Sequence, residues 1–276
     1  MKSLALIVPP GKQEGVALGI VVWFIAGMAL LVSGIVAEAR MDTRLAQIHY
    51  TKARVAALGD GAIHLALAEQ YSRKQSGQRG SPRSQGVNVS GNNVDIRMIP
   101  AGLLVNISTE NARGFSALFA RARAANQSEA LPWRASPEQL ARAVIAYRDG
   151  VNGRRGQSFY DLEDLMRVPG VDRGVYDAVR DYIVTEELAG EISGSAKDTS
   201  TRLRQLESAL EGDGAMLNGQ LQHGASMLRI DAVVELGGTS WLRRRWVSLE
   251  GRQASGLPWR ILRTESARTM AGGQVN

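Results

Sequence analysis

The chain has 276 residues, no cysteine, and a net charge of +6 from 33 Lys and Arg against 27 Asp and Glu. The lack of cysteine excludes a disulfide framework and any thiolate metal site. A basic balance built mostly from arginine fits nucleic acid or anionic lipid as partner, and fits better an arginine-rich composition with no binding role.

From Val16 to Ala37 no residue is charged. As a helix this run rises about 33 Å, enough to cross the hydrocarbon of a bilayer. Lys2 and Lys12 precede it. Three readings of the segment stand. It can be a removable signal, since Ala37-Glu38-Ala39 has the small-x-small cleavage pattern, although the apolar core exceeds the usual ~7–15 residues. It can be a plain membrane anchor. Or residues 1–15 are a prepilin leader cut between Gly15 and Val16, leaving residues 16–37 as the transmembrane helix. The next stretch favours the third reading. Residues 38–75 lack proline and carry Met41, Leu45, Ile48, Val55, Leu58, Ala62 and Leu65 at helical spacing. Met41, Leu45, Ile48, Val55 and Leu58 are the candidate partner-binding face. Gly59-Asp60-Gly61 is the one point where this helix is expected to bend or break.

Residues 76–108 read as a polar, glycine-rich linker followed by the first strands. Val94–Met98 alternates like a half-buried strand, and Leu103–Ile107 is expected to return beside it as a hairpin. Residues 109–189 read as a helical insertion. Ser108 or Thr109 is the expected cap of a helix to about Ala125, with Phe115, Leu118 and Phe119 inward. Ser136-Pro137-Glu138 starts a second helix carrying Leu140, Val144, Ile145 and Tyr147. Phe159 to Ile183 reads as helix, Pro169-Gly170 hairpin, helix. Residues 190–276 read as a linker, a short charged helix over Thr201–Leu210, and strands. Met227–Leu236 and Ser240–Leu249 are joined by Gly237-Gly238, and Trp259–Arg263 makes a third. A sheet split by helices predicts an α+β domain: a long N-terminal helix packed on an antiparallel sheet, with a helical insertion between strands.

No enzyme signature emerges. His49 and His64 lie fifteen residues apart without zinc-ligand spacing, and His223 stands alone. Asp161, Glu163 and Asp164 form an acidic cluster that a helix start explains through its dipole. Helix-hairpin-helix units bind DNA phosphate on the amides of a Gly-rich turn. Here Asp172 replaces the usual second glycine and would repel the phosphate, so a packing role is expected and nucleic acid is not.

In chain order, Glu14-Gly15-Val16, Val105–Ala112, Ala143–Asp149 with Phe159–Gly170, Ser226–Leu236 and Trp259–Arg263 resemble the segments of the general secretion pathway protein K family, the large minor pseudopilins of bacterial type II secretion. The resemblance implies a pilin-like fold, and processing and N-methylation by prepilin peptidase at Gly15 and Val16. It also implies partnership with minor pseudopilins I and J at the tip of a pseudopilus. The chain would be held by one pass in the inner membrane, with its bulk periplasmic. Pilin-like subunits mostly carry a glutamate at the fifth mature position, which here would be Ile20. Some members hold calcium in an acidic loop; here that loop is Gly150–Gly156, whose two arginines offer a hard cation no oxygen ligands, so no cofactor is expected, with calcium as the alternative. The other readings are a membrane-anchored helix-hairpin-helix DNA-binding protein of the competence type, and a minor pilin of a type IV pilus.

Overall fold

The structure is a computed structural model and describes residues 14–76, 85–125, 133–150, 155–189, 198–210, 226–250 and 256–270. Most of the expected leader, parts of the two polar linkers, the centre of the Gly150–Gly156 loop and His223 lie outside the described residues. The chain divides into two units, Met1–Ala53 and Arg54–Asn276. Helix α1, Glu14–Gln75, contributes to both.

Within the second unit, α1 leads to strands β1 (Gln85–Val89) and β2 (Asn92–Pro100). A one-turn 3₁₀ segment, Ala101–Leu103, precedes the short β3 (Val105–Asn106). Helices α2 (Ala112–Ala125) and α3 (Pro137–Asp149) follow, then a 3₁₀ turn over Leu162–Arg167 and α4 (Arg173–Val179). The chain continues through β4 (Ile183–Val184), α5 (Glu186–Ala189) and α6 (Thr199–Leu210). It closes with β5 (Met227–Leu236), β6 (Thr239–Ser248), β7 (Arg260–Thr264) and β8 (Arg268–Thr269).

The main sheet runs β1-β2-β5-β6-β7, with β8 also paired to β6, and every pairing in it is antiparallel. This is the α+β architecture expected: a long helix packed on an antiparallel sheet whose strands flank a helical insertion. Strand alternation gives the sheet two faces. On one, Val94, Ile96 and Met98 of β2 and Leu228, Ile230, Ala232 and Val234 of β5 pack under Val55, Leu58, Ala62, Ile63, Ala66 and Leu67 of α1. Burial of each such Val, Leu or Ile side chain contributes roughly 1.5–3 kcal/mol. The other face meets the helical insertion across Ile99, Leu103, Leu104, Val184, Leu188, Leu206 and Trp246.

The insertion has a core of its own around Phe115, Leu118, Phe119, Val144, Leu165, Val175 and Val179. Its entry and exit are tied together: β3 and β4 pair in parallel, with Val105 N donating to Tyr182 O and Ile107 N to Val184 O. Adjacent ends let a whole layer be inserted without disturbing the host sheet. Helix α6 joins this layer, with Leu203 in the insertion core and Leu206 and Ala209 against the sheet.

Two strand assignments are corrected. Leu103–Ile107 does not return beside β2. Pro100, Ala101 and the 3₁₀ turn carry the chain off the sheet, and the neighbours of β2 are β1 and β5. Strand β1 lies inside the stretch read as linker. Helix α1 also passes Gly59-Asp60-Gly61 without a break.

Candidate functional site

Gly15 and Val16 lie in the first turn of α1. Beyond them, Leu18, Ile20, Trp23, Phe24, Leu30, Leu31 and Ile35 are all exposed. Among the described residues α1 is the one helix long and apolar enough to cross a membrane. No acid occurs between Glu14 and Glu38, so a bilayer would receive this segment without the cost of a buried carboxylate. Further along, Met41, Leu45 and Ile48 are exposed at 62, 48 and 48%, which leaves them free to meet a partner. Val55 and Leu58 are not part of that face, as the sequence reading had them. At 0 and 7% exposure they belong to the chain's own core beneath β2 and β5. Helical spacing marks an apolar stripe but not where along it the sheet begins.

The seam between α1 and the sheet is built at Gly59-Asp60-Gly61. Partners of Ala232 and Ile230 in the ladder, Arg243 and Arg245 of β6 point to the same face as the apolar strands. A Cβ on Gly59 would stand 2.7 Å from Arg243 Cβ and 2.9 Å from its Cγ. The glycine therefore lets the helix approach β6 closely. Asp60 receives both arginines: Arg243 Nε and NH2 donate at 2.8 and 3.0 Å, and Arg245 NH2 lies 2.6 Å away. One turn on, Arg245 NH1 is 3.1 Å from His64 Nε2. His49, by contrast, is exposed.

On the opposite face the insertion docks through buried charge. Arg229 NH1 donates to the backbone carbonyl of Asp181 at 2.6 Å. Arg244 makes a two-pronged pair with Asp231, Nε to Oδ1 at 2.7 Å and NH2 to Oδ2 at 2.9 Å. Arg244 NH1 and Arg268 NH2 reach the Asp181 carboxylate at 2.8 and 2.7 Å. Burial by itself pushes the Asp181 carboxyl up, but the guanidiniums of Arg244, Arg268 and Arg229 outweigh it and hold it well below the usual carboxylate range. In Asp231 burial is likewise overcome, by Arg229 and Arg244. Arg97, next to Asp231 in the β2–β5 register, instead pairs with Asp95.

The Pro169-Gly170 hairpin packs against the insertion core. Gly170 takes φ +90°, while Leu165, Val168, Val171 and Val175 around it are buried in the insertion core. Asp172 is the N-cap of α4 and accepts from Val175 N at 2.9 Å. Asp164 likewise accepts from the amides of Tyr160 and Asp161. The Asp161 amide above all holds its carboxyl below the usual range, against the opposing effect of burial and with further help from the Tyr160 amide and Arg167. Asp161 pairs with Arg263 at 3.0 Å. Asp164 and Asp161 are thus spent on capping and ion pairing. Among the described residues no three His, Cys, Asp or Glu side chains group to hold a metal.

One polar cluster had no reading in the sequence. Glu110 is buried and pairs with Arg202 of α6, its backbone carbonyl accepts from Arg148 NH1 at 2.7 Å, and its Oε1 accepts from Asn111 N. Asn111 caps α2 by accepting from Gly114 N at 2.9 Å. The signal was the pair of Asx residues, Asn106 and Asn111, flanking the expected Ser108 and Thr109. Asn106 forms the turn by accepting from Ser108 N, and Asn111 makes the cap.

These features define an α+β chain with a candidate membrane anchor in α1. No family model matches it, and no curated protein does. Among solved structures it is similar to the crystal structure of the GspK-GspI-GspJ complex from the enterotoxigenic Escherichia coli Type 2 Secretion System. The TM-score is 0.44 at 13% identity, over 83% of this chain and 99% of that chain.

Proposed function

We propose that the chain is a minor pseudopilin of a type II secretion system, a structural subunit and not an enzyme. In this reading prepilin peptidase cuts it after Gly15, one pass holds it in the inner membrane with its bulk periplasmic, and it partners the minor pseudopilins I and J at the pseudopilus tip. The observation that carries the reading is the course of α1. A single helix runs through Gly15 and Val16, presents the exposed apolar run from Leu18 to Val36, and ends as the core element of an antiparallel sheet.

The tip position is supported by Ile20. A glutamate at that mature position would pair with the N-terminal amine of a neighbouring subunit and so suit repetition along a shaft. This chain has none. The insertion from Ala112 to Leu210 adds bulk that a repeating shaft position would have to absorb at every step. Quantitative mass spectrometry of purified pseudopili tests this reading. One copy per many major subunits is expected, and near-equal stoichiometry overturns it.

A further inference from the structure

We propose that the free edge of β1 is a docking site for an extended strand of another protein. The sheet has two edges, and they are built differently. A bare edge offers unpaired backbone groups to other chains, so edge strands usually carry charge, proline or a bulge. At one edge β7 follows this rule. Its register on β6 shifts between Trp246 and Val247, it carries Arg260 and Arg263, and Arg263 ties to Asp161 of the insertion. At the other edge β1 has no charged residue, no proline and an unshifted register on β2. Among the described residues nothing pairs with its outer side.

The hairpin turn fixes which groups that side presents. Ser90 and Gly91 both have positive φ, 51 and 79°. This is a two-residue turn whose flanking pair, Val89 and Asn92, exchanges the first ladder bonds. Alternation gives Val87 and Gln85 the next bonds to β2 and turns the N–H and C=O of Gly86 and Asn88 outward. Both residues are exposed. Helix α1 adds an apolar contact above this edge. A Cβ on Gly61 would stand 3.4 Å from Val89 Cγ1, and Gln85 Nε2 donates to Glu69 Oε2 at 3.2 Å. Leu65 lies midway between these two points on the same helical stripe, over Val87, and is 52% exposed.

These features select the occupant. Outward donors and acceptors recur every ~6.8 Å along β1. An extended main chain meets them in register, whereas a helix keeps its own groups bonded and lipid tails have none. Its inward residues must be apolar to cover Leu65 and Val87, and the alternate ones polar. A second copy of this chain does not fit. Pairing β1 with β1 across a two-fold axis would run the two α1 helices in opposite directions. Chains anchored through α1 in one membrane, as proposed above, run them the same way. That exclusion rests on the proposed anchor; the open edge does not.

Residue-resolved amide exchange of the full-length protein in detergent micelles tests the site, with a synthetic peptide of the β2 sequence, Asn92–Met98, as probe. Its alternation already turns Val94 and Ile96 toward α1. Alone, the chain should exchange Gly86 and Asn88 freely and Val87 and Val89 slowly. At about 1 mM peptide, exchange at Gly86 and Asn88 should slow at least about threefold, with Val87 and Val89 unchanged. Asn88→Pro removes one outward N–H and no ladder bond, and should abolish the slowing at Gly86. Leu65→Arg, at an exposed position, should do the same, which keeps the test decisive if Asn88→Pro does not fold. Protection of Gly86 and Asn88 without peptide, no slowing with it, or slowing that survives in either folded variant overturns the proposal. Protection that rises with protein concentration, together with a dimer mass, would assign the edge to a second copy and overturn it as well.

Discussion

Gly59 occupies a helical position where alanine would be the better helix former by about 1 kcal/mol. The structure reverses that preference, since a Cβ there meets Arg243 Cβ at 2.7 Å and either the helix or β6 must shift. Gly59→Ala is therefore expected to destabilise the second unit by about 1–3 kcal/mol in denaturant unfolding. A stabilised variant would show that the close approach does not exist. Asp231 makes the complementary case on the other face. Replacing it by Leu strands Arg229 and Arg244 without their shared carboxylate, at a cost of about 3–5 kcal/mol. The same network fixes the acid response. Asp181 and Asp231 have carboxyls held below their unfolded values, so their contribution is complete above about pH 4 and is lost as pH falls through the lower, folded values. Thermal unfolding followed across pH should show this steep acid limb, and Asp231→Leu should reduce it.

At the scale of elements, what could be read ahead of the structure is what depends on neighbours in sequence. Ser136-Pro137 opens α3, with the Ser136 side chain accepting from Gln139 N and the Gln139 side chain accepting from Ser136 N. Gly237 and Gly238 turn β5 into β6 with φ of 61 and 72°. What failed depends on distant partners. Strand β2 was found by its alternation, but its neighbour β5 lies over 120 residues downstream, and nothing local to Leu103–Ile107 says that this apolar run leaves the sheet to pair with β4. Strand β1 was hidden in polar composition, although Ser90-Gly91, at φ 51 and 79°, is a hairpin turn that could have revealed it. The apolar stripe of α1 was half legible for the same reason: periodicity marked it, and only packing separates the buried Val55 and Leu58 from the exposed Met41, Leu45 and Ile48. The helical hairpin carries its own expectation. Asp172 caps α4 with the carboxylate that would oppose phosphate, so an anisotropy titration with duplex DNA at physiological salt should give no sub-micromolar binding. Tight binding abolished by changing Gly170 would restore the nucleic-acid reading.

For the whole molecule, each face of the sheet has a distinct use. One holds α1 through an apolar core and the Asp60 seam, and the other holds the helical insertion through buried charge. The exposed apolar length of α1 from Leu18 to Ile48 is spent on neither, and the proposed function assigns it to a membrane and to partner subunits. That assignment stands or falls on where the mature chain begins. The direct measurement is N-terminal sequencing, with intact mass, of the protein isolated from membranes of cells that also express prepilin peptidase. A chain beginning at N-methylated Val16 is the predicted result. A chain beginning at Arg40, or one that keeps its first fifteen residues in the presence of active peptidase, would contradict the account.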